Sequence, residues 1–477
     1  MNRSDRLELC FSSATGLARD IRRKEVSCTE VMAAHLTQIE EFNPSVNAVV
    51  TTHPERSMEL AKLADEKLHR NDNEAVGALH GLPVAHKDLF QTQGVRTTYG
   101  SPIFRDNIPE LNDVIVARAH AAGAIPVGKT NTPEFGAGSQ TFNPVFGATK
   151  NPYDPTKTCG GSSGGSAVAL ACGLVPLADG SDMGGSLRNP ASFCNVVGLR
   201  PSVGRVPSWP ADAAFNQVSV PGPMARSVED LALFLSALAG PDARAPLSVP
   251  QPGSVFAASL NRDFSGVRIA FSPDLGDFPL DPEVRRVFSR SRPGFESLGC
   301  TVMDEAPDFT GADEVFKTLR AWHFELAHGD LLDSHRGQLK DTVVWNIEEG
   351  RKLTGPQLGR AEKLRTALHG RVTRFMESHE FLVLPTVQVP PFAVDQPYIE
   401  EIAGATMETY IDWMKSCYYI TTTGLPAVSV PGGFTADGLP VGVQIVGRWQ
   451  DDLGVLRLAH AFEQATKYGT RKPGVVV

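Results

Sequence analysis

From residue 76 onward, short apolar runs of strand length alternate with segments of helical periodicity. Leu82-Pro83-Val84-Ala85 and Ala124-Ile125-Pro126-Val127-Gly128 read as buried strands, and Val114 to Ala122 between them reads as a helix. An apolar run without polar alternation is what a strand covered on both faces needs. The pattern therefore predicts an α/β fold, with a sheet covered by helices on both sides. It resumes later: a strand at Val267–Phe271, a helix at Pro282–Leu298 and a strand at Cys300–Met303. Residues 311–379 read as mainly helical. Phe381–Leu384 reads as a buried strand stopped by Pro385, Ala427–Val430 and Val441–Val446 as strands, and Leu453–Ala465 as a helix. The first 75 residues read as helical. Ser27 with Glu30 has the form of a capping box, Asn43-Pro44 is expected to end that helix, and Pro54–His69 forms the next.

A chain of 477 residues with 42% hydrophobic and 21% charged residues has ample core and ordinary globular composition, which excludes global disorder. The net charge of −9 argues against nucleic acid and anionic membranes as partners. Arg22-Arg23-Lys24, the nearest thing to a basic run, reads as a solvated helix face. Seven scattered cysteines with no CxxC give neither a disulfide framework nor a zinc site, so no metal is expected. The N-terminus lacks the apolar stretch of a signal peptide, and no window approaches the ~20 apolar residues of a membrane span, so the cytoplasm is the expected location.

Residues 133–210 break the alternation: they are rich in Gly, Ser, Pro and Asn, and only Ser166–Cys172 has the look of a closely packed helix. Such a stretch is a linker or a functional loop system, and a helix inside it favours function. Two segments dominate, Gly160-Gly161-Ser162-Ser163-Gly164-Gly165-Ser166 and Gly180-Ser181-Asp182-Met183-Gly184-Gly185-Ser186-Leu187-Arg188-Asn189-Pro190-Ala191. Glycine lets backbone N–H groups approach one developing oxyanion, and a serine closing such a turn is placed to attack the same carbonyl. On glycine content alone, flexible turns or a phosphate-binding loop remain open, though no GxxxxGK[ST] pattern occurs. Ser163 also fits GxSxG, but Asn151-Pro152-Tyr153-Asp154-Pro155 stands where a nucleophile elbow wants an apolar strand. For a base, His80, His86 and His120 compete with Lys87, a lysine at the end of a buried strand that either snorkels to solvent or loses its charge by desolvation.

Together these segments resemble the amidase signature family. The likeness rests on GLPVAHKD around Lys87, the GGSSGG run, GSDMGGSLRNPA, the 24-residue separation of Ser162 and Ser186, and flanking pieces such as Gly198-Leu199-Arg200-Pro201 and Gly424-Leu425-Pro426-Ala427. It implies a large central mixed β-sheet and one domain over 1–477. Within it, 1–75 is an N-terminal helical segment, 76–240 the catalytic core, 241–380 a variable, mainly helical substrate-pocket region, and 381–477 the C-terminal part of the core. It also implies the roles. Ser186 attacks the amide carbonyl. Ser162, in a cis peptide, relays its proton, and neutral Lys87 is the final base. Met183, Gly184, Gly185 and Ser186 supply oxyanion donors. Gly136 and Gly138 face substrate, and Ser163, Asp182 and Arg188 orient the loops. His86, where relatives often carry an aliphatic residue, reads as structural.

The expected reaction is carboxamide hydrolysis through a Ser186 acyl-enzyme, with no cofactor, a small-molecule amide as substrate, and a homodimer as an allowed assembly. Carbamate, ester or anilide hydrolysis on the same residues is the near alternative. A glutaminase subunit of a tRNA-linked amidotransferase is another, but Met414 stands where that subunit carries its substrate-holding acid. A scaffold that binds without catalysis is disfavoured by the presence of all three reactive residues. Phe316, Trp322, Phe324 and Trp345 are candidates to wall the acyl pocket, and the small residues 136–138 point to an uncharged aryl or alkyl amide.

Overall fold

A computed structural model of the chain describes residues 2–70, 76–216 and 218–476. Eleven strands form one mixed sheet. In chain order they are β1 (Val49–Thr52), β2 (Pro83–Lys87), β3 (Ile125–Thr130), β4 (Leu177–Asp182), β5 (Val197–Arg200), β6 (Val220–Ala225), β7 (Arg268–Phe271), β8 (Thr301–Met303), β9 (Phe381–Pro385), β10 (Ala427–Phe434) and β11 (Pro440–Val446). Their order across the sheet is β1-β3-β2-β4-β6-β5-β10-β11-β9-β7-β8. β3, β2 and β4 run parallel, as do β9, β7 and β8, and the strands between them are antiparallel. Residues 83–130 and 381–446 thus share one sheet, joined at its centre where β5 pairs with β10.

The helices that cover it are α1 (Arg3–Phe11), α2 (Ala14–Arg22), α3 (Cys28–Val46), α4 (Pro54–His69), α5 (Val114–Ala121), α6 (Gly164–Ala171), α7 (Arg188–Phe193), α8 (Val228–Leu238), α9 (Pro282–Ser297), α10 (Ala312–His335), α11 (Asp341–Arg351), α12 (Gly355–Ser378), α13 (Lys415–Thr423) and α14 (Asp452–Thr466). The Ser27–Glu30 capping box is present, each side chain bonded to the other residue's backbone N–H. Pro44 does not end α3, which runs on to Val46. The exit is set instead by Asn47 at φ 53° and by Asn43, whose side chain accepts the N–H groups of Ala48 and Val49. A proline forfeits its own N–H bond to the preceding turn, and the final turn of a long, well-packed helix absorbs that single loss.

The Gly/Ser-rich stretch holds more regular structure than its composition suggests. β4 has the sequence LADGSD and is buried along nearly its whole length. Its ladder to β6 extends from Leu177–Ala225 to Asp182–Val220. Among the described residues, no helix is long and apolar enough to cross a membrane. All seven cysteines are buried thiols.

Candidate active site

Lys87 is the last residue of β2, and its side chain is completely buried. Its amine lies 2.7 Å from Ser162 Oγ, 2.9 Å from Ser163 Oγ and 3.1 Å from Ser181 Oγ. Burial pushes its pKa from 10.5 down to about 7, against the pull of the Asp182 and Asp179 carboxylates. An amine near neutral pH with three hydroxyls around it both accepts and donates a proton along those bonds.

Ser162 and Ser163 lead into α6. The peptide bond between Gly161 and Ser162 is cis. α6 is packed so tightly that a Cβ on Gly165 would sit 2.3 Å from the backbone nitrogen of Asn131, so only glycine fits. Ser163 occupies the N-cap position, is fully buried, and has its hydroxyl against Lys87 and the backbone of Ser181. That placement removes it as an elbow nucleophile. Its own N–H donates to the carbonyl of Ser186 at 3.1 Å, which ties the second glycine turn to the first. Ser186 is 8% exposed against 2% for Ser162.

The turn from Met183 to Leu187 is built around the Asp182 carboxylate. Oδ1 accepts Gly185 N–H at 3.0 Å, and Oδ2 accepts Leu187 N–H at 3.1 Å. Arg188 grips both oxygens at 2.8 and 3.0 Å, and Arg200 adds a contact at 3.2 Å. Burial opposes the charge, but the two guanidiniums win and hold the carboxyl well below its ordinary range. Arg188 also reaches the carbonyl of Cys417 at 2.9 Å, Gln444 Oε1 at 2.5 Å and Thr421 Oγ1 at 3.0 Å. Gly185 sits at φ 118°, with Cys417 Cβ 2.6 Å from where its own Cβ would be. Asp182 and Arg188 therefore join the turn to α13 and β11. One expected oxyanion donor is already committed: the N–H of Gly185 belongs to Asp182, leaving Met183, Gly184 and Ser186 to the turn.

A profile of the family described as Amidase matches residues 30–456. The chain belongs to the amidase family. It is an amide-hydrolysing enzyme built on the amidase-signature fold. It is 37% identical to an acylamidase of Rhodococcus erythropolis, over 98% of each chain. It is 33% identical to the A-type subunit of the glutamyl-tRNA(Gln) amidotransferase of Methylococcus capsulatus, over 96% of this chain and 97% of that one. The crystal structure of a bacterial aryl acylamidase of the amidase signature family superposes with a TM-score of 0.89 at 28% identity, over 97% of this chain and 99% of that one.

Around this amidase centre, Gly136 lies within reach of Ser162: a Cβ there would be 3.4 Å from its hydroxyl. Gly138 faces Lys340, whose amine donates to the carbonyl of Ala137 at 3.2 Å and stands 4.0 Å over the Phe142 ring. Phe316 covers Gly184, and Phe324 and Trp345 join apolar clusters that include Met183. Trp322 is half-buried and belongs to none of these clusters. The cleft that reaches the site, about 280 Å³, meets it at Ser181 and is lined by Leu89, Phe90, Trp209, Ala213 and His323. Its wall comes mostly from residues 207–221 rather than from the aromatic residues of 311–379, because α10 presents Phe316 and Phe324 to the interior and only His323 to the cleft.

Ser181, Asp179 and Arg200 belong to the site as well. Ser181 lies inside the second glycine segment and Arg200 inside Gly198-Leu199-Arg200-Pro201, without a role marked for either, while Asp179 lies outside every motif. The one signal for Asp179 is a set of polar residues inside a strand-length segment, LADGSD, that only a buried hydrogen-bonding role would tolerate. His86 and His120 touch each other, and His86 touches Asp179 instead of a serine, so neither serves as a triad base.

Proposed function

We propose that the chain is a standalone amidase in which Ser186 is the nucleophile, Ser162 the proton relay and Lys87 the base. The observation that carries this reading is the 2.7 Å contact between the buried Lys87 amine and Ser162 Oγ, in a setting where the amine's hydrogen-bond partners among the described residues are all hydroxyls. Ser186 Oγ attacks the amide carbonyl. Its proton moves to Ser162 Oγ as the Ser162 proton moves to Lys87 Nζ. The oxyanion that forms meets the N–H groups of Met183, Gly184 and Ser186. The lysine's proton then returns through Ser162 to the departing nitrogen, the C–N bond breaks, and ammonia or an amine leaves. Water, deprotonated by the same route, cleaves the Ser186 ester.

The substrate class that fits is an uncharged acyl or aryl amide entering by the cleft beside Ser181. The acylamidase relatives support it. The glutaminase-subunit reading is disfavoured by Met414, which is buried with its sulfur against the hydroxyl of Ser139. A thioether carries no charge with which to hold an amino acid's ammonium group. On this reading residues 1–477 work as one catalytic unit, since the strands of 76–240 and 381–477 share a sheet.

The test is Ser186→Ala assayed against a panel of anilides and primary amides, with a fluorophosphonate probe as a label of the nucleophile. Turnover should fall by about 10⁴-fold or more, and labelling should vanish. Near-normal activity would end the assignment.

A further inference from the structure

Beside the Lys87 backbone, β2, β4 and α5 carry a second polar cluster. Val84 pairs with Leu177 and Ala85 with Ala178 across the parallel strands β2 and β4. His86 and Asp179 follow these pairs in the chain. His86 Nδ1 lies 2.5 Å from Asp179 Oδ2, both side chains fully buried. Asp179 Oδ1 accepts the backbone N–H of Lys87 at 2.8 Å. On its far side, His86 Nε2 meets Nε2 of His120, on α5, at 3.0 Å. His120 is half-buried and lines an open groove together with Arg56, Lys67, His80 and Gln93. A continuous chain thus runs from the groove to the backbone of the lysine.

A carboxylate only accepts, so the ring hydrogen on Nδ1 of His86 points at Asp179. The two Nε2 atoms, 3.0 Å apart, are joined through one hydrogen. Burial, then His86, Lys129, His53 and Arg56, push His120 down to about 3, so that ring carries no charge.

We propose that Asp179, His86 and His120 are positioning residues for Lys87: the carboxylate fixes the lysine's backbone, His86 fixes the carboxylate, and His120 fixes His86. The inference rests on Lys87 being the base.

The experiment measures kcat and KM on 4-nitroacetanilide for wild type, Asp179→Ala, Asp179→Asn and His120→Phe. Asp179→Ala frees the Lys87 N–H and should lower kcat about tenfold with KM within about twofold. Asp179→Asn keeps an oxygen to accept that N–H and should restore most of the loss. His120→Phe removes the far support of His86 and should lower kcat in the same direction by a smaller factor. A merely structural cluster would lower Tm without this split and without rescue by Asn. Wild-type kcat in Asp179→Ala, or a loss that Asp179→Asn does not restore, overturns the proposal. Should Asp179→Ala fail to fold, wild-type kcat in a folded His120→Phe overturns it. Full activity in Lys87→Met would instead overturn the base assignment, and is read separately.

Discussion

Lys87 and Lys129 stand on neighbouring parallel strands, one residue out of step, with His86 opposite Lys129 and Lys87 opposite Thr130. Both are completely buried, and burial pushes both down, Lys87 to about 7 and Lys129 to about 8. Their company differs. The Lys87 amine is surrounded by the hydroxyls of Ser162, Ser163 and Ser181. The Lys129 amine is bonded to the carbonyl of Phe90 and to Thr92 Oγ1, within the field of Asp88, Asp179 and Asp113. A serine hydroxyl accepts a proton and passes another on; a carbonyl has none to pass. Desolvation alone therefore does not make a lysine a base. On the proposed mechanism the base is the one whose partners lead to the serine turns, and the other neutralises carboxylates.

Exchanging each lysine for methionine separates the two roles. Lys87→Met should lower kcat/KM by about 10³–10⁴-fold, read as acylation rate in stopped-flow, while thermal unfolding stays within a few degrees of wild type. Lys129→Met should do the reverse. It leaves Asp88 and Asp113 without their cation and should cost about 3–5 kcal/mol in denaturant unfolding, while activity per folded molecule stays within about threefold. A catalytic collapse in Lys129→Met at full folding would dissolve the comparison.

The pH dependence sharpens it further. On the proposed mechanism Lys87 acts only when neutral, so kcat/KM should rise about tenfold per pH unit up to about 7 and then level off. Stability carries a smaller signature. Between about 7 and its ordinary 10.5, Lys87 is deprotonated in the folded chain and protonated in the unfolded one. The unfolded state then binds more protons, so wild type should gain stability as pH rises through that window and show no Lys87 contribution to the slope below it. The comparison is with Lys87→Met, which lacks the effect throughout.

The sequence exposed some of these features far better than others. Helices with an apolar face and a clear start, Pro54 in α4 and a capping aspartate in α9 and α14, lie within a residue or two of their expected bounds. Pro44 misled because the bond a proline forfeits points back toward the preceding turn, and in the last turn of α3 that loss is too small to stop the helix. β4 was invisible because its polar residues are satisfied from outside the strand: Asp179 by His86, 93 positions away, and Asp182 by Arg188 and Arg200. The two serine turns stood out by their glycines, but the choice of Ser162 over Ser163 and of Lys87 over the histidines came from the family resemblance. Asp179 depends on strand register, which one sequence does not display.

The anchoring of the Met183–Leu187 turn has a consequence for how the enzyme comes into being. Every group assigned to the reaction lies between residues 87 and 186, ahead of the C-terminal strands in order of synthesis. Yet the arginine that holds the turn is itself held by Cys417, Thr421 and Gln444. A ribosome-bound chain that has emerged only as far as residue 400 carries those side chains without the scaffold that aligns them. Hydrolytic competence should therefore wait until residues 417–444 have emerged and folded, and a product cut off at 400 should be chemically silent.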